Sequence, residues 1–390
     1  MATRTWLGRA LAVAKVATHT IGGTAAGGQV YSVTRNGKTV SYTATGGDTN
    51  TTIAAALQVL LDASTITEFA EVTWTVATTV ITSTADTAGV DVAFTSSATG
   101  TGTLVTATTT AASGPNHWDV AVNWSGGAVP INGDDVVIDF PVSILYGLDQ
   151  SAVTLTSLVI GASFDTAYIG LPRLNAGGYT EDRETYLKIG ATTVKIGVGE
   201  GSGSGRIKIN FGSVQHTTEV RKTGSAIEQG IPPLLLLGTH ASNAIDIQGG
   251  SVGVAFFAGE TSTLLTSRSA GNSSVVCGEG CTLGTISGEG IVQVNSAVTT
   301  LTQQGGQWTI NGASAVTTLT QNGGVLNHNS SGTFTTSTIG GTLNCSGDAS
   351  ARTMTTVTLN KGGRIIDPLN TLTFTNGIQK AANVREIVAN

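Results

Sequence analysis

The phrase SAVTTLTQQGGQWTI at residues 296–310 returns as SAVTTLTQNGGVLNH at 314–328 and, more loosely, as SGTFTTSTIGGTLNC at 331–345. Glycine pairs stand at Gly305-Gly306, Gly323-Gly324, Gly340-Gly341 and Gly362-Gly363, so successive pairs are 18, 17 and 22 residues apart. A fixed period of about twenty residues marks a solenoid. Val298, Leu301 and Ile310, then Val316, Leu319 and Leu326, recur among Thr, Gln and Asn at close to period two. That alternation predicts short strands separated by a Gly-Gly turn. One such coil cannot bury its apolar face alone. Stacked on its neighbours, it builds a continuous core and pairs its backbone above and below. Glycine suits the corners because it takes positive φ without steric penalty.

Working back from the repeat, strands are expected at 153–160, 187–189, 194–198, 207–211, 234–237, 244–247 and 252–257, divided by Gly190, Gly197, Gly238 and Gly249-Gly250. The span from 136 to about 374 then holds on the order of 13 parallel coils in a rod roughly 60 Å long. Residues 171–186 interrupt it with the densest charge in the chain, which reads as a loop thrown out from the rod or a contact surface. The tail from Gln379 departs from the repeat and reads as a C-terminal cap, 379–390.

Upstream the pattern changes. Strands at 30–33 and 39–43 flank Arg35-Asn36-Gly37-Lys38, and Asn-Gly is a strong hairpin signal. Asn50-Thr51-Thr52 offers an N-cap to a helix whose apolar stripe is Ile53, Leu57, Leu60 and Leu61. Strands at 72–76, 80–84 and 90–94 follow. One helix on a small antiparallel sheet is an α+β unit. The chain is thus mainly β, and its expected divisions are an arm at 1–26, an α+β docking domain at 27–112, a Trp-rich linker and cap at 113–133, a parallel β-solenoid at 134–378, and the terminal cap. The arm either packs on its own domain or reaches a neighbouring subunit.

Composition agrees with a repetitive β protein. Of 390 residues 11% are charged and 5% aromatic, 52 are glycine, and 40% are hydrophobic, enough apolar surface to fold. Ordinary domains carry about a quarter charged residues. A net charge of −6 argues against nucleic-acid binding, which needs clustered Lys and Arg. No apolar run reaches the ~18 residues of a membrane helix. The run 10–14, broken by Lys15, is too short for a secretory signal, so synthesis in a cytoplasm without an export signal is expected.

Residues 31–44, the helix with Ile53, Ala54 and Leu57, and 81–89 resemble a small domain that recurs in structural proteins of tailed bacteriophages. The segment from Trp118 through Asn123-Trp124-Ser125 to Gly133-Asp134-Asp135 is similar to the entry segment of phage and surface β-helix proteins. The resemblance implies assembly rather than catalysis, and it brings no catalytic residue with it. It implies a virion protein: a capsid decoration (cement) or head-spike protein, homotrimeric, contacting a major capsid protein or other virion proteins. The alternative is a tail fibre or adhesin whose flat face or loop binds a host surface glycan.

Candidate chemistry is thin. Asp134 and Asp135 are adjacent, so on a strand they point to opposite faces and cannot serve as an acid–base pair. Asp139 and Asp149 are isolated, and Glu181, Asp182 and Glu184 lie beside Arg183 and Lys188. The glycine-rich 199–205 lacks the Gly-Lys-Ser/Thr ending of a phosphate loop. Cys277 and Cys281 form half a zinc pattern with no second cluster, and His19, His117, His216, His240 and His328 are scattered. No enzyme activity, catalytic residue, metal or cofactor is expected.

Overall fold

Two separate hydrophobic cores divide the chain, one inside a small N-terminal domain and one running the length of a β-solenoid. The computed structural model describes residues 2–389 apart from 172–177, 182, 204, 225–229 and 382–387.

The small domain packs the helix Asn50–Asp62 between two antiparallel sheets. One sheet orders Val72–Ala77, Val80–Ala85, Val16–Gly23 and Gly102–Thr110; the other orders Lys38–Thr43, Val30–Arg35 and Thr95–Ala98. The cap is Thr49 rather than Asn50: its hydroxyl accepts from the Thr52 amide while the Thr52 hydroxyl accepts from the Thr49 amide. The buried stripe is Ile53, Ala54, Leu57 and Leu61, whereas Leu60 stays 42% exposed. The strand expected at 90–94 forms at Thr95–Ala98 instead.

Of the two courses open to residues 1–26, packing on the same chain is the one taken, as strands rather than as a separate arm. Thr3–Thr5 pairs in parallel with Asp135–Val137 and supplies the first rung of the solenoid. Val16–Gly23 is an inner strand of the four-stranded sheet, hydrogen-bonded to Val80–Ala85 on one side and Gly102–Thr110 on the other. The intervening alternation of Ala17, His19 and Ile21, all buried, is a period-two signal that small and polar side chains hid from a hydrophobicity reading.

The solenoid has about 12 turns. Each strand pairs in parallel with the strand one coil on, so Val298–Gln303, Val316–Gln321, Phe334–Ile339 and Arg352–Leu359 form one ladder. Gln307–Gly312, Val325–Ser330 and Thr342–Asn344 form a second. Inward columns are apolar: Val298, Val316, Phe334 and Met354 stack, as do Trp308, Leu326, Leu343 and Ile365. Buried polar side chains join them, among them two glutamines. Gln303 and Gln321 are fully buried at the coil corner, where Gln321 Nε2 donates to Gln303 Oε1 (3.1 Å) and to Thr342 O (3.0 Å), and Gln303 Nε2 donates to Val325 O (3.0 Å).

The glycine pairs sit at these corners, for two reasons. Gly306, Gly324 and Gly362 have φ of +69°, +76° and +88°, while Gly340-Gly341 takes no positive φ. What Gly341 needs is room, because a Cβ there would lie 2.7 Å from the Gly324 carbonyl oxygen. The start of the rod is closed by aromatics: Trp118, Trp6 and Trp124 are buried, with ring centroids 5.0 Å (Trp6–Trp124) and 4.6 Å (Trp118–Trp124) apart. Asn123 fastens them, accepting from the Ala10 amide and donating to the Gly114 and His117 carbonyls. At the other end, Ile378–Lys380 and Val388–Ala389 still pair with the coil below, and most of the cap expected at 379–390 lies outside the described residues.

Candidate functional site

Of the acidic side chains, Asp149 and Glu184 line one open cleft together with Asp91, Asp119 and Arg183. Asp134 accepts from the Ala2 and Ile131 amides and from Arg4 Nε, tying the chain start to the first coil. Burial works to raise its pKa, but these donors outweigh it and hold the carboxyl below the usual range. Asp135 accepts from the Ser157 hydroxyl and Asp149 from the Ser151 hydroxyl. Glu181 pairs with Arg183, and Glu184 with Lys188; Asp182 lies outside the described residues. Each carboxylate serves its own neighbour, which is a structural arrangement rather than an acid–base pair.

In the charged interruption, the described residues Tyr179, Thr180 and Arg183 contact the small domain. Arg35, 5% exposed, donates to Glu71 Oε2 (3.1 Å) and to the Tyr179 hydroxyl (2.8 Å), and that hydroxyl donates to Glu71 Oε2 (2.7 Å). Asn36 Nδ2 donates to Thr180 O (2.6 Å). Arg183 reaches Asp91, which also binds Lys15, and lies 5.0 Å from the centroid of Tyr146. The Asn-Gly hairpin therefore presents Arg35 and the turn residue Asn36 to the rod and latches the domain against it.

Other sequence candidates fall apart in space. His19 sits between the Thr106 and Ser83 hydroxyls in the small domain, and His216 stacks on Phe211. Burial lowers both to about 4. His328 stacks on Phe334 inside the solenoid at 4.0 Å between centroids. Burial, with the Arg352 charge adding to it, lowers His328 to about 3. Cys277 and Cys281 are both buried around one turn; a hydrogen bond from Cys281 and burial push the Cys277 thiol well up. Among the described residues no three His, Cys, Asp or Glu side chains gather as a metal site requires. After the glycine-rich turn the chain continues as the strand Arg206–Asn210, with no helix to cradle a phosphate. No helix of the described residues is long and apolar enough to cross a membrane.

What the solenoid does present is two kinds of polar wall. On one face Asn311 donates to Asn295 and Asn329 to Asn311, while Asn344 donates to Asn327, so amides bind one another from rung to rung. On another, threonines stack in register: Thr300, Thr318, Thr336 and Thr356 in one column and Thr302, Thr320, Thr338 and Thr358 in the next. The Val-Thr-Thr-Leu-Thr-Gln phrase carried this wall in plain sight, but only the rung pairing shows which threonines share a face. No protein-family model matches the chain, and no curated protein does.

Proposed function

We propose that the chain is a non-enzymatic structural protein of a tailed-phage virion, a capsid decoration or head-spike protein that docks through its N-terminal region and projects the solenoid outward. In this reading it assembles as a homotrimer on a major capsid protein or other virion proteins, after synthesis in the host cytoplasm. The resemblance of the small domain and the Trp-rich entry segment to phage structural proteins supplies the virion assignment. The observation that supports a scaffold is the latch of Arg35, Glu71 and Tyr179, which joins a compact domain to a rod. A rod held at a set angle to its base suits projection from a surface.

Gold-labelled antibody against the chain tests this reading on purified particles: label distributed over the head in many copies supports it, and particles without label overturn it. Label confined to the tail tip would favour the second reading, a fibre or adhesin for host surface glycan, for which the flat polar walls are the supporting feature.

A further inference from the structure

The threonine wall has properties that strand propensity alone does not require. Threonine is a good strand former, and one outward column of it would need no further account. Here four consecutive rungs carry Thr-Thr-x-Thr, at 299–302, 317–320, 335–338 and 355–358, and Thr285 with Ser287 extends the columns of Thr300 and Thr302 by a fifth rung. The pairing runs Thr300 to Thr318 to Thr336 to Thr356 without slipping a residue. Rungs repeat at about 4.8 Å and the two columns stand about 6.7 Å apart, so the hydroxyls and methyls form a two-dimensional lattice. Because threonine is stiff at χ1, that lattice is set before anything binds.

Two contrasts within the same rod sharpen the point. Lower down, the outer of the same two columns is charged: Lys195, Glu219, Asp246 and Arg268 stack, with Arg268 and Asp246 paired at 2.8 Å. At Ser287 the charge stops, and no Lys, Arg, Asp or Glu occupies either column above it. Along the asparagine wall neighbouring amides hydrogen-bond to one another from rung to rung. On the threonine wall, by contrast, the hydroxyls of Thr300, Thr302, Thr318, Thr320, Thr336 and Thr338 have no protein partner, although each is half-buried or exposed at the surface.

A rigid, uncharged, open lattice of hydroxyls and methyls fits a partner that is itself a lattice. A flexible polymer would lose its freedom on binding for little directional gain. A phosphate polymer would need cations the wall lacks, and no aromatic ring lies in these columns for a sugar ring to stack on. Crystalline water presents oxygens at two fixed repeats of this scale. Each hydroxyl can take a place in such a layer while the methyl beside it fills a gap. We propose that the threonine wall from Thr285 to Thr358 binds the surface of ice.

The test is partition of the full-length chain between slowly grown ice and the remaining liquid. The wild-type protein should be recovered in ice above the level of an excluded control protein. Thr318→Lys with Thr320→Lys should lose that enrichment, and Asn327→Lys, on the other wall, should keep it. Thermal melting followed by circular dichroism checks that each variant folds; if the lysine pair does not, Thr318→Tyr replaces it, with the same loss expected. Exclusion of the wild-type chain from ice would overturn the proposal. So would equal enrichment of the threonine variants, or retention on insoluble cellulose or chitin without retention on ice. None of these outcomes depends on the virion reading, which the particle-labelling experiment tests separately.

Discussion

Replacing Gly306 with alanine separates two penalties that the coil corner combines. The residue has φ of +69°, and a Cβ there would lie 1.8 Å from the Glu289 carbonyl oxygen and 2.3 Å from that of Gly290. Both obstacles are backbone of the coil below, so neither can swing away as a side chain would. Gly37, in the hairpin turn of the small domain, has φ of +74° but nothing within 4 Å of its added Cβ. The left-handed backbone costs an alanine about 1–2 kcal/mol at either site. Forcing extra volume into a packed region adds about 1–3 kcal/mol, and only Gly306 incurs it. The difference between the two variants is therefore the energy of the corner contact. Native-state hydrogen exchange reads it locally: amides of Val298–Gln303 and Gln307–Gly312 in Gly306→Ala should exchange faster by about 5- to 150-fold beyond the effect of Gly37→Ala on its own hairpin. The helix Asn50–Asp62, in the other core, should be unchanged by Gly306→Ala. Equal losses at the two sites would refute the stacking of Gly306 on the Glu289 carbonyl.

Gln321→Ala should destabilise the rod by about 2–4 kcal/mol in urea unfolding, since it leaves Thr342 O and Gln303 Oε1 without their donor and opens a cavity. Acid should weaken the fold through its buried histidines: His19 and His216 titrate at about 4 and His328 at about 3, all below the ~6.5 of an unfolded chain. Between those values the unfolded chain binds the extra proton, so stability is full above about pH 6.5 and falls by about 1.4 kcal/mol per histidine for each pH unit below it. Urea midpoints from pH 7 to pH 4 measure this, and His328→Phe should shallow the slope. Arg35→Ala should remove the guanidinium that bridges Tyr179 and Glu71, cost about 2–4 kcal/mol, and open the described part of the 178–186 segment to limited proteolysis while leaving the coils at 298–345 protected.

The solenoid was legible because its signal repeats: Val298, Leu301 and the glycine pairs recur at fixed intervals, and the structure stacks them where the interval says. Strands such as Leu234–Leu237 and Ala244–Ile247 were readable for the same reason, a short apolar or alternating run between turn residues. The beginning of the chain was not. Thr3–Thr5 has no apolar pattern of its own and becomes a rung only because Asp135–Val137, over a hundred residues away, offers an edge. Local sequence carries no record of such a partner. Charge density at 171–186 revealed a special segment, but that it meets Arg35 and Asn36 depends on how two domains lie together. Gln303 and Gln321 stand two residues beyond Leu301 and Leu319 on the same inward face, but only the stacked coils show which carbonyls their amides meet. The threonine wall lay between these extremes: its residues were visible, its registration was not.

Distances between paired spin labels along one column test the stacked-coil architecture most directly. With one label fixed at Thr266 and the other moved through Thr285, Thr300, Thr318, Thr336 and Thr356, each step should add about 4.8 Å, reaching about 24 Å over five rungs. Separations that fail to grow by one strand spacing per coil would contradict the solenoid and every function built on it.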